Sequence, residues 1–190
     1  MSVLLDVLSA MIVGGMVLMM IFNFQYQLTD TAQSVVYLAQ MMDHMQEATF
    51  RLNNIISLAG IGYPPASMVS VADSTRMVFH TKWDYISDAI SASEHLIVLK
   101  ISDSQTDFGR SLQVSQDGTP MNDLGYIFWI HRLRFRYLDI NGNLTTTPSQ
   151  VRSVDMWLTF RRSAPTLRLQ ALSTKLQMRC YLMNAYLAGG

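Results

Sequence analysis

A carboxylate stands at the start of a long apolar run. Asp6 is followed by VLSAMIVGGMVLMMIF, residues 7–22, which carries no charge. An ionised carboxyl group in such a setting is costly unless an opposite charge is held against it. No Lys or Arg occurs before Arg51, so this part of the chain offers no basic side chain to neutralise it. The chemistry implied is charge pairing with a group supplied from elsewhere.

The other reactive side chains form no recognisable constellation. His44, His80, His95 and His131 lack the i,i+4 or short-loop spacing that metal sites favour. Cys180 is the sole cysteine, which excludes an intrachain disulfide and a Cys-based metal cluster within one chain. Ser, His and Asp are plentiful, but no GxSxG elbow accompanies them. Gly14-Gly15 lies inside the apolar run with no preceding strand, so it is neither a Walker loop nor a dinucleotide fingerprint. Asp139, Asn141 and Asn143 imitate the start of a calcium loop whose distal Glu is missing, with a plain hairpin turn as the competing reading. Asn143-Leu144-Thr145 also matches a glycosylation sequon. The expectation is a protein without catalytic residues, cofactor or resident metal.

The elements that position these residues follow from periodicity. Val7–Phe22 is short for a membrane span of roughly 20 residues, and including Val3–Leu5 lengthens it only by enclosing Asp6. No basic residue precedes the run, and no small-residue cleavage site follows it, as an ordinary signal peptide would require. That pattern suits a chain whose basic leader has been removed ahead of Ser2. Beyond Phe22, Leu28, Ala32, Val35, Ala39, Met42, Met45, Thr49, Leu52, Ile56 and Ala59 recur at helical steps without a proline. A stop follows at Ala59-Gly60-Ile61-Gly62-Tyr63-Pro64-Pro65. A helix over about residues 2–60 would run for roughly 80–90 Å. Its first half then needs other copies or a membrane to cover it. Gly14 and Gly15 would permit close helix–helix approach. Met11, Met16, Met19, Met20, Met41, Met42 and Met45 fit adaptable packing.

After Pro65 the period shifts towards two. Strands are expected at Met68–Val71, Arg76–His80, His95–Ile101, Ser111–Val114, Leu133–Leu138, Val154–Phe160 and Leu167–Leu172. Tyr85–Ala92 reads as a short helix or loop, and Asn141-Gly142 as a type I′ turn. The fold class is α+β: a long N-terminal helix packed by its C-terminal half on an antiparallel sheet. The expected divisions are 1–27 for the apolar helix half, 28–62 for its amphipathic continuation and 63–190 for a β-rich head.

Charge is balanced overall but not along the chain. The 190 residues carry a formal net charge of zero, which gives no global field favouring nucleic acid, and none is expected as partner. Asp6, Asp30, Asp43 and Glu47 precede the first cation, whereas Arg152, Arg161, Arg162, Arg168, Lys175 and Arg179 face only Asp155 after residue 150. Solvated faces explain this pattern; so would acidic stems packing near basic heads of neighbouring copies.

Several strings carry a family resemblance over nearly the whole chain. The order of apolar stem, long helix, AGIGYPP stop and antiparallel sheet resembles type IV pilins and type II secretion pseudopilins. HMQEATFRLNNIISLAGIGYP, RLRFRYLDINGNL, VRSVDMWLTFRR and STKLQMRCYLMN resemble segments of minor pilins of the W kind and pseudopilins of the J kind. The resemblance implies a filament subunit, cut by prepilin peptidase and methylated at its N-terminus. Such a subunit sits in the inner membrane before assembly and in an extracellular or periplasmic filament afterwards. It also implies a role for Asp6, at the place of the family's glutamate if the mature chain begins at Ser2: neutralising the N-terminal amine of a neighbouring subunit. A single-pass anchored binding or sensor domain that does not polymerise is the alternative.

Overall fold

The computed structural model describes residues 2–106, 109–121, 128–162 and 172–188. By compactness the chain divides into two units, Met1–Met41 and Met42–Gly190. One helix, α1, spans Ser2–Ser57 and contributes to both.

Within the second unit, the closing turns of α1 bury one stripe. Ala48, Leu52, Ile55 and Ile56 are fully buried, as is Ala59 just beyond the helix, and their three- and four-residue spacing sets one helical face. That face meets two antiparallel sheets. The larger contains β1 (Val69–Ala72), β2 (Arg76–Asp84), β3 (Ala89–Thr106), β4 (Gly109–Gln116) and β5 (Thr119–Pro120) in sequential order, with β6 (Phe128–Ile130) also paired to β4. The smaller runs β7 (Arg132–Leu138), β8 (Ser153–Arg162) and β9 (Leu172–Tyr181), and the short α2 (Met183–Ala188) follows it. Both sheets are tied to the helix end. Tyr85 Oη donates to Ile55 O at 2.6 Å and Thr81 Oγ1 to Leu58 O at 2.8 Å. From α2, Asn184 Nδ2 donates to Ala59 O at 2.7 Å. The expected α+β class is what the chain adopts.

Alternation within β7 and β8 gives the smaller sheet its two faces. Leu133, Phe135, Tyr137, Val154, Met156, Leu158 and Phe160 are buried, whereas Arg132, Arg134 and Arg136 are exposed. Tyr137 carries its hydroxyl across to the larger sheet, where it lies 2.8 Å from Asp73 O and 3.1 Å from Arg76 O. Removing that donor by Tyr137→Phe deletes a hydrogen bond made by a buried side chain, a loss of about 1 kcal/mol. Urea unfolding of the full chain in non-ionic detergent, followed by Trp fluorescence, would measure it.

Three expectations differ from the structure. Tyr85–Ala92 is a loop only in its first half: Tyr85–Asp88 is a tight turn and Ala89 already belongs to β3. The Asp84 carboxylate caps that turn, accepting from Ile86 N at 3.0 Å and Ser87 Oγ at 2.7 Å, while Asp84 pairs with Ala89. Asn141-Gly142 is not a type I′ turn, because Gly142 has a positive φ of 78° and Asn141 does not. Nor does the turn lead straight into β8. Leu144 bridges back to Leu138, and the chain reaches β8 only after a 3-10 turn at Pro148–Gln150. The strand expected at Leu167–Leu172 lies outside the described residues except for Leu172, which opens β9.

Asp84 also marks a pH dependence. Gln116 Nε2 donates to it at 2.7 Å, and this bond, with those from Ser87 and Ile86, lowers its pKa to about 2. A carboxylate held below its unfolded value stabilises above that value and loses its contribution as pH falls. Asp84→Asn should therefore flatten the acid limb of the melting profile between pH ~4 and ~2. Thermal melts across that range read the effect; an unchanged limb would remove Asp84 as its source.

Candidate functional site

The first unit is a helix without a core. Val3, Leu4, Leu5, Val7, Leu8 and Met11 are exposed, as are the large apolar residues from Ile12 through Phe24. The most apolar 18-residue window of α1 is long and greasy enough to cross a membrane, and 0% of it is buried within the chain. A helix that is apolar all round needs cover. Asp6 lies exposed within this stretch. The neighbouring hydroxyl does not serve it: Ser9 Oγ donates back to Leu5 O at 2.6 Å, satisfying itself on the helix backbone. Gly14 and Gly15 lie open, and a Cβ at either would meet nothing within 4 Å. The chain's own packing therefore gives no reason for glycine there. Ser2 opens the helix.

The head gathers its titratable groups into hydrogen-bond chains across strands. Ser70 Oγ lies 2.8 Å from His80 Nε2, and His80 Nδ1 lies 2.5 Å from Glu94 Oε1. Tyr63 packs its ring 5.5 Å from that of His80. Burial, together with the Glu94 carboxylate, pushes its phenol up to about 12. The order of hydroxyl, imidazole and carboxylate is that of a nucleophile relay. Glu94, however, is 52% exposed and shared with Tyr63, so this relay stands open to water on a sheet surface. A parallel chain joins His95 Nδ1 to Asp117 Oδ2 at 2.7 Å. Sequence spacing left His80 and His95 isolated; strand register brings each to its carboxylate. Of the remaining two, His44 sets its ring edge-on against Phe160 at 5.9 Å.

The calcium-like triplet is occupied by its own turn. Asp139 Oδ1 accepts from Asn141 N at 2.9 Å and Asn143 N at 2.8 Å. Among the described residues no group of three or more His, Cys, Asp or Glu side chains is placed to hold a metal ion. Cys180 is buried, and burial pushes its thiol up to about 12, which leaves it protonated and unreactive.

Two surface features remain. A largely apolar groove of about 520 Å³ opens between Met42, Met45 and Phe50 of α1 and Leu176 and Met178 of β9. On the outward face of β7–β8–β9, Asp155 receives Arg179 bidentately, Nε to Oδ1 at 2.5 Å and Nη2 to Oδ2 at 2.9 Å. Beside it the Arg136 guanidinium lies 5.2 Å above the Trp157 ring. The R-x-R-x-R alternation of β7 is the sequence signal for this face, but its alignment with the cations of β9 depends on the register of both strands against β8.

No protein family and no curated protein matches the chain. Among solved structures, a type IV-like pilin from Thermus thermophilus is similar over 76% of this chain and 98% of that one, with a TM-score of 0.52 and 9% identity. At that identity the likeness speaks for the fold alone. The chain thus has a pilin-like fold, a long apolar N-terminal helix leading into an antiparallel β-sheet head.

Proposed function

We propose that the chain is a structural subunit of a pilus-like or pseudopilus filament, assembling through the apolar half of α1. One observation carries this reading: the segment from Val3 to Phe24 is predominantly apolar, uncovered by its own chain, and carries a single charge, Asp6. Fully burying one large apolar side chain stabilises by roughly 1.5–3 kcal/mol, so covering the segment releases tens of kcal/mol. A membrane provides that cover before assembly, and helices of other copies provide it afterwards. The membrane meant is the inner membrane; the filament would be extracellular or periplasmic.

Asp6 then neutralises the N-terminal amine of a neighbouring subunit whose mature chain begins at Ser2, and that amine would carry the family's methyl group. Gly14 and Gly15 let adjacent helices approach closely. Among filament subunits, the strings around AGIGYPP and RLRFRYLDINGNL favour the W-type minor pilins and J-type pseudopilins. A non-polymerising anchored domain would use the same exposed helix as a simple tether. Electron microscopy of the purified full chain after detergent removal separates them. Ordered helical polymers support the filament; membrane-bound particles without polymers support the tether.

A further inference from the structure

The chain's zero net charge conceals a segregated surface. Register places Arg132, Thr159 and Lys175 in one row across the outward face of β7–β8–β9. Arg134, Trp157 and Gln177 form the next row, and Arg136, Asp155 and Arg179 the third. Arg161 continues the same face along β8, opposite Ser173. Among the described residues this face thus holds six cations and a single carboxylate, and that carboxylate is already claimed by Arg179. At roughly 3.4 Å per residue and 4.8 Å between strands, Arg132 to Arg136 spans about 14 Å and β7 to β9 about 10 Å.

We propose that this face binds nucleic acid through its phosphate backbone. Such density of like charge is relieved by a ligand presenting several anions at comparable spacing, and a nucleic-acid strand does so. Arg179 already holds Asp155 in its fork, and four of the other five cations are arginines, whose planar forks take phosphate oxygens bidentately. Trp157 sits in the middle row, where its ring lies under the Arg136 guanidinium and holds that cation on the face. The stem of a second copy fits less well. Asp30 and Asp43 lie about 20 Å apart along a helix, and Glu47 is paired with Arg51, so one carboxylate at a time would meet the six cations. The face also points away from the buried side that packs on α1. The proposal stands whether or not the chain polymerises.

The test uses the full chain in non-ionic detergent and the fluorescence anisotropy of a short labelled oligothymidylate, titrated at rising salt. The combined Arg132→Gln, Arg134→Gln, Arg136→Gln variant keeps the aliphatic stems while removing three charges. It should bind at least about tenfold more weakly, with a salt slope shallower by about two. A control variant, Arg76→Gln, Lys82→Gln, Lys100→Gln, removes equal charge from the larger sheet and should bind as the parent does. Should the first variant lose its circular dichroism signature, Arg161→Gln with Lys175→Gln replaces it. Equal losses in both variants would overturn the proposal. So would a uronate polysaccharide that displaces the oligonucleotide more strongly than unlabelled oligothymidylate does. A face variant that alters oligomer size in light scattering, with oligonucleotide binding unchanged, would reassign the face to a contact between copies.

Discussion

Asp6→Ala should abolish filaments while leaving the chain in the membrane. In the proposed filament the carboxylate and a neighbour's amine would share an environment from which water is excluded, each tolerable there only because of the other. Deleting one member leaves the other charge buried and alone, a cost of roughly 3–5 kcal/mol. Since every added subunit meets the same cost, its affinity for the growing end falls by about a hundredfold to several thousandfold. Membrane insertion responds in the opposite direction. Replacing a carboxylate within Val3–Phe22 by a methyl group removes an insertion penalty of about 3 kcal/mol. Asp6→Glu restores the charge on a longer arm and should assemble; Asp6→Asn keeps the shape without the charge and should not. Sedimentation and negative-stain microscopy of the four proteins, beside carbonate extraction of membranes, give both readouts. Polymers from Asp6→Ala in parental yield would end the charge-pairing account.

That prediction concerns a residue that the sequence alone singles out, because the absence of any cation before Arg51 needs no coordinates. The stripe through Leu52 and Ile56 was legible for a similar reason. Helical period is local, yet of the expected stripe only Leu52, Ile56 and Ala59 are buried; Leu28, Val35 and Met42 are exposed, and Met41, Ala48 and Ile55 are buried instead. The alternation of Leu133, Phe135 and Tyr137 with three arginines was equally plain. What stayed hidden depends on pairing between distant segments. The 18 residues of β3 include Ala89–Ser91, whose extended form is imposed by Trp83 and Asp84 across the hairpin and not by their own propensity. The hydrogen bond from Ser70 to His80 and the close approach of His80 to Glu94 span β1, β2 and β3, and a shift of one residue would dissolve both. The basic face required the same knowledge. Its arginines on β7 and its Lys175 and Arg179 on β9 are separated by about forty residues and meet only through β8.

The helix stop shows how a local signal can be read correctly while its stakes are missed. Gly60 stood in the sequence as part of a Gly-Pro-rich break. In the structure it takes a φ of +77°, and its N–H donates to His80 O at 2.9 Å, which fastens the exit of α1 to β2. A side chain here meets two obstacles. The left-handed backbone costs a non-glycine residue about 1–2 kcal/mol. A Cβ would also overlap Met68 Sδ and come within 2.5 Å of Met68 Cγ, and Met68 is itself buried. Forcing that methionine aside costs about 1–3 kcal/mol more. Gly60→Val, with its branch adding to the clash, should therefore destabilise the head by about 4 kcal/mol. Gly118→Val separates the two causes. It shares a positive φ, +83°, but has nothing within 4 Å of its Cβ position, so it should lose only the backbone share. Urea unfolding of both variants in detergent gives the difference. Equal losses would show that the gap above Met68 closes freely, and that Gly60 is required for its backbone conformation alone.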